Sequence, residues 1–114
     1  MENSILETIK KLLGIDTECK DFDIDVIVNI NTVISALTQM GVGPEEGFSI
    51  TGSDETWNDF IEELHGFEMI KTYIYLKVKN IFDPPQQQSL IGSSERIISE
   101  IEYRIRIQVE NAQP

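Results

Sequence analysis

The stretch DIDVIVNINTVISALTQM, Asp23 to Met40, decides the fold. Read from Phe22, the residues Phe22, Ile24, Val26, Val28 and Ile30 alternate with Asp23, Asp25, Asn29 and Asn31. That is the pattern of a half-buried strand, and the β-branched side chains favour it. Ile27 breaks the alternation, and Thr32-Val33 reverses it. A helical stepping fits the later part better: Val26, Ile30, Val33, Leu37 and Met40 recur by fours and threes, with Ile27 and Ile34 alongside. Gly41 then falls where a helix would turn left-handed at its end. The segment is read as a helix over 23–40.

Outward from it, the rest of the chain also carries helical periodicity. Upstream, Ile5, Leu6, Ile9, Leu12 and Leu13 form one apolar stripe, with Asn3 or Ser4 to cap its start and Gly14 to close its end, a helix of about 4–13. Downstream, Gly41 to Ser53 holds four glycines and Pro44, and Phe48-Ser49-Ile50-Thr51 alternates within it. A hairpin arm or extended element at about 47–52 is expected there. Ser53-Asp54-Glu55 reads as a capping serine with acids at the positive end of a helix dipole. From there Trp57, Phe60, Ile61 and Leu64 begin a rod that Phe67, Ile70, Tyr73, Ile74, Val78, Ile81 and Phe82 continue, with Gly66 as a bend. A helix of about 54–82 that is apolar around most of its circumference belongs at the centre of a fold. Asp83-Pro84-Pro85 stops it. After a loop from Gln86 to Gly92, Ser93 or Ser94 caps a last helix of about 94–109, whose stripe is Ile97, Ile98, Ile101, Ile105 and Val109. Its pairs Glu100–Arg104 and Glu102–Arg106 have the favourable i, i+4 order. The fold class is mostly α, one small bundle of about four helices in a single domain over 1–114. Its core is expected from Ile30, Leu37, Leu64, Ile70, Ile74, Ile81, Ile101 and Ile105.

The chain has 114 residues, 20 acids against 9 bases and a formal net charge of -11. Such a balance argues against a general nucleic-acid binder, which must displace phosphate counterions with cations, and against docking on an anionic membrane. The charge is uneven. Met1 to His65 holds 14 acids and 3 bases, whereas Gly66 to Pro114 holds 6 of each. The plain reading of the acidic half is a well-solvated face. The segment MENSILETIKKLLGI is broken by Glu2, Glu7, Lys10 and Lys11, unlike a signal peptide, and no stretch has the ~20 apolar residues of a membrane span. The chain is expected to be made and kept in a cytoplasm.

Chemistry-bearing patterns are sparse. Asp21, Asp23 and Asp25 resemble the start of a calcium loop, but Val26 stands where that loop needs glycine and Thr32 where it needs glutamate. Acids over a first helical turn are the better account. The sole histidine, His65, has no nucleophile motif beside it, and Cys19 lies between Glu18 and Lys20. One Cys and one His exclude a disulfide within the chain and a structural zinc site. Gly41, Gly43 and Gly47 lack the Lys-Ser/Thr of a phosphate loop, and Glu45-Glu46 would repel phosphate. No catalytic, cofactor-binding or metal-binding residue is assigned, and no enzyme is expected.

Two stretches, IKTYIYLKVKNIFDPP (Ile70 to Pro85) and SERIISEIEYRIRIQVE (Ser94 to Glu110), follow an ITGSDETW segment (Ile50 to Trp57) and an N-terminal ILETIKKLLGI. In this order they resemble the head–tail connector proteins, also called head-completion or adaptor proteins, of long-tailed bacteriophages and prophages. The resemblance covers nearly the whole chain and is one of pattern, with no catalytic motif in it. It implies a small helical bundle with an extended element between the second helix and the central one. It also implies a virion protein, assembled in the bacterial cytoplasm, that forms a homo-oligomeric ring under the portal protein. Such a ring prolongs the DNA channel and presents a platform to the next neck or tail protein. DNA passes through without specific binding, and neither cofactor nor membrane takes part. Acidic walls would keep the duplex mobile, so Glu45 and Glu46 are expected to face the channel. Arg96, Arg104 and Arg106 are candidates for subunit or portal contact, with simple intrahelical pairing as the alternative for them. A different class, an acidic inhibitor that mimics DNA, shares the small size, helicity and charge. The neutral second half, which carries the connector pattern, favours the connector. A helical subunit of an unrelated host complex is the third reading.

Overall fold

In the computed structural model, which describes residues 4–61, 67–82 and 87–112, helix α2 runs from Asp23 to Gln39. The burial pattern shows why the helical period wins over the alternating one. Val26, Ile30, Val33, Ile34 and Leu37 are buried, while Ile24 is 77% and Val28 56% exposed. A strand would have put Ile24, Val26, Val28 and Ile30 on one face. The helix turns the first and third of them outward, because inward they would leave no single stripe to bury.

Helix α1, Ile5–Leu13, has the expected caps: the Glu7 N–H donates to Ser4 Oγ at 3.2 Å. At the other end Gly14 takes φ 84, and the Ile15 N–H reaches the Lys10 carbonyl at 2.8 Å. Helix α3 is only Trp57–Phe60, and α4 is Phe67–Phe82. The single rod over 54–82 is therefore corrected. Thr56, not Ser53, is the N-cap, in a capping box with Asp59. Ile61 then leaves helical space at φ -139, ψ 143. Leu64, His65 and Gly66 lie outside the described residues, as does Asp83-Pro84-Pro85. The last helix, α5, spans Gln88–Ala112, so the expected start at Ser93 or Ser94 is also corrected. Ser94 sits inside the helix, and its hydroxyl and the Asn80 amide of α4 bond one another at 3.1 Å. That partner across the bundle replaces the capping role.

Residues 48–51 form no strand, and among the described residues the sole β-type pairing is an isolated bridge between Ser4 and Thr56. The Asn31 side chain does what a neighbouring strand would. Its Nδ2 donates to the Ile50 carbonyl at 3.0 Å and its Oδ1 accepts from the Ile50 N–H at 2.7 Å, so a buried residue keeps both backbone groups satisfied.

Helix α4 is central, packing on α1, α2 and α5. Ile70, Tyr73, Ile74 and Val78 are buried, as expected of a rod apolar on several sides. Its flank toward α2 carries Phe82, edge-on to Phe22 with ring centres 5.7 Å apart. The flank toward α5 carries Tyr73, bonded to Glu102, and Asn80, bonded to Ser94. Helices α2 and α5 thus pack on different flanks of α4, and near its far end α5 meets the chain just past α2, where Val109 lies against Gly41. Of the expected core, Ile30, Leu37, Ile70, Ile74, Ile101 and Ile105 are buried. Ile81 is 53% exposed and Ile97 also faces solvent. Both lie at the rim, where α4 and α5 present apolar residues beyond the width their neighbours cover.

Candidate functional site

Among the described residues no three His, Cys, Asp or Glu side chains come together as a metal site would need. No helix among them is long and apolar enough to cross a membrane. The acids that resembled a calcium loop are used otherwise. Asp23 turns toward α1, where its Oδ1 lies 2.7 Å from the Lys10 ammonium. That ammonium is 1% exposed and donates to the carbonyls of Thr17 (3.2 Å) and Cys19 (2.6 Å). Asp23 Oδ1 is buried with no aligned hydrogen-bond donor, so its contact with Lys10 is an ion pair. Lys10 therefore folds the 14–22 connection back over α1 and fixes the start of α2. Sequence reading missed it. The signal was a lysine beside the apolar stripe of α1, a short connection away from three aspartates.

Glu55, expected in a first helical turn, clamps the preceding turn instead. Its carboxylate accepts from the Thr51 N–H (3.0 Å), the Thr51 hydroxyl (2.9 Å) and the Gly52 N–H (3.3 Å). Desolvation alone would push this carboxyl up. The Thr51 and Gly52 donors together outweigh it and hold the group below the usual range. A folded pKa below the unfolded one stabilises the fold above the unfolded value, an effect lost as pH falls through the folded one. Thermal unfolding of the wild type and of Glu55→Gln, compared at about pH 7 and about pH 3, should show a wild-type advantage at the higher pH that shrinks at the lower one. A gap independent of pH would contradict the clamp.

The expected contact residues are dispersed. Glu45 and Glu46 are exposed in the loop after α2, where the Gly47 N–H closes a turn on the Pro44 carbonyl at 3.0 Å. Arg96, Arg104 and Arg106 are exposed on α5. Arg104 pairs with Glu100 at 3.1 Å. The expected Glu102–Arg106 pair is not formed: Glu102 accepts from the Tyr73 hydroxyl at 2.8 Å. Burial first, and then that carboxylate, raise the Tyr73 phenol well above its usual range, so it remains a donor holding α4 to α5.

Besides Leu12 on α1, the large exposed apolar side chains lie on two parts of the molecule. Phe22, Ile24 and Val28 at the start of α2 join Ile81 at the end of α4, and a shallow open groove there is lined by Leu13, Phe22, Val28, Ile81 and Phe82 with Asp25 and Asn29. On α5, Ile91, Ile97, Tyr103 and Ile107 face solvent. Exposed apolar surface of this kind is what contacts with other proteins use.

The family model described as phage connector protein matches residues 5–112. The chain belongs to this phage connector family. The match takes in all five helices, from the first residue of α1 to the last of α5. No curated protein and no solved structure matches the chain. For a connector, the two apolar surfaces and the exposed arginines of α5 are natural places to look for contacts with head and tail components.

Proposed function

We propose that this connector is a structural virion protein that forms a ring below the portal, extends the DNA channel and joins head to tail. The family match over residues 5–112 carries the reading. The helical bundle accords with the same reading. Glu45 and Glu46, exposed on a loop, are the channel-facing acids of this proposal, and Arg96, Arg104 and Arg106 contact a neighbouring subunit or the portal.

Closing a ring brings many copies of a -11 chain together, so self-repulsion opposes assembly in free solution. The isolated chain is expected to sediment as a monomer or small oligomer at low salt, to associate further as salt screens the repulsion, and to assemble on portal, which supplies a common base and raises local concentration. A stable large ring at low salt without portal contradicts this. Replacing both Glu45 and Glu46 with Lys should leave the thermal midpoint nearly unchanged, since exposed charges contribute little to stability. The same change should impede DNA passage through assembled particles. Normal infectivity of the double-Lys phage removes the channel assignment.

A further inference from the structure

We infer that neighbouring copies of this chain join head to tail, the outer face of α5 on one copy seating on the Phe22–Ile24–Val28–Ile81 surface of the next. The inference rests on the ring reading above and specifies its subunit contact. A ring of identical copies needs two different, mutually complementary surfaces on each subunit.

The molecule provides both. Helices α2 and α5 pack on different flanks of α4, so their outer faces are two separate surfaces. Each outer face carries apolar side chains that its own subunit leaves uncovered: Ile24 and Val28 one turn apart on α2, and Tyr103 (65% exposed) and Ile107 one turn apart on α5. The charges around them are opposite. The α2 surface has the exposed Asp21 and Asp25, and Asp25 lines the groove. On α5, from Arg96 to Glu110, the exposed charges are Arg96, Arg104 and Arg106 against Glu110 and Glu100, the latter already engaged by Arg104, so the face stays net positive. Glu95 lies on the other flank, in the depression toward α4. An α5–α5 or α2–α2 contact would oppose like charges. The α5-to-α2 contact opposes Arg to Asp around an apolar centre, which is the arrangement that sets register between partners.

The contact is tested by mixing two blocked copies. Val28→Arg spoils the α2 surface and Tyr103→Asp spoils the α5 face. Both positions are exposed, and circular dichroism confirms folding. If either variant is unfolded, Ile24→Lys or Ile107→Lys replaces it. Under salt and concentration at which the wild type assembles, each variant alone should associate at least about tenfold more weakly, as expected when the centre of an interface is lost. An equimolar mixture should give a one-to-one dimer and nothing larger in sedimentation velocity, because one intact α5 face meets one intact α2 surface. Wild-type rings undisturbed by either substitution overturn the contact and leave the ring reading standing. A mixture that yields no heterodimer also overturns it. A wild type that stays monomeric at every concentration and on portal overturns the ring reading and the contact with it.

Discussion

Ile74→Ala should lower the stability of the fold by roughly 2–4 kcal/mol. Ile74 is fully buried on α4, between Ile70 and Val78 of the same stripe, and α4 is the helix against which α1, α2 and α5 all pack. Deleting three carbons there removes their transfer free energy and leaves a cavity that three neighbouring helices cannot all close. For a domain of about this size the thermal midpoint should fall by on the order of 10 °C or more. Chemical denaturation with an unchanged m-value would attribute the loss to the folded state. Ile81→Ala is the control on the same helix. At 53% exposure it should cost well under half as much. Equal effects at the two positions would show that the burial assigned to α4 is wrong.

Lys10→Met should cost about 3 kcal/mol, the bottom of the range for breaking a buried ion pair. The methionine would fill the space of the stem. It would leave the Thr17 and Cys19 carbonyls without their donor and Asp23 without its cation. The figure sits at the low end because Asp23 is 19% exposed and gains water when the ammonium goes. Adding Asp23→Leu to Lys10→Met should restore part of the loss, since the stranded carboxylate is then gone. Equilibrium unfolding of the two single variants and the double variant measures this. A Lys10→Met protein as stable as the wild type would mean that the buried ammonium does not organise the 14–22 connection.

The deciding segment was legible because a helix and a strand bury different subsets of the same residues. Only the helical subset, Val26, Ile30, Val33 and Leu37, continues through Thr32-Val33. Helix ends set by local chemistry were legible too: the Ser4 hydroxyl caps the start of α1, and Gly14, with no Cβ, takes the left-handed turn at its end. Ends set by long-range partners were not. Ser53-Asp54-Glu55 and Thr56-x-x-Asp59 are both plausible starts, and the choice follows from Glu55 turning back to Thr51 and Gly52. Ser94 reads as a cap until Asn80, fourteen residues away in sequence, takes its hydroxyl. Asn31 holding Ile50, across nineteen residues, is equally silent in local sequence. The surfaces proposed for assembly were half legible. The arginines of α5 were visible as charges. Ile24 and Val28 had been read only as remnants of an alternating pattern, because exposure of an apolar residue depends on which helices end up beside it. The pairing of Glu102 failed for a similar reason: a buried tyrosine hydroxyl without an acceptor costs more than an exposed Glu–Arg pair returns.

The most direct test of the connector reading is negative-stain microscopy of this chain mixed with the portal of the same phage. Class averages should show an added annulus of density at one end of the portal, coaxial with its channel and absent from portal alone. Portal particles unchanged by an excess of folded chain, with the chain still sedimenting as monomer, would contradict the account.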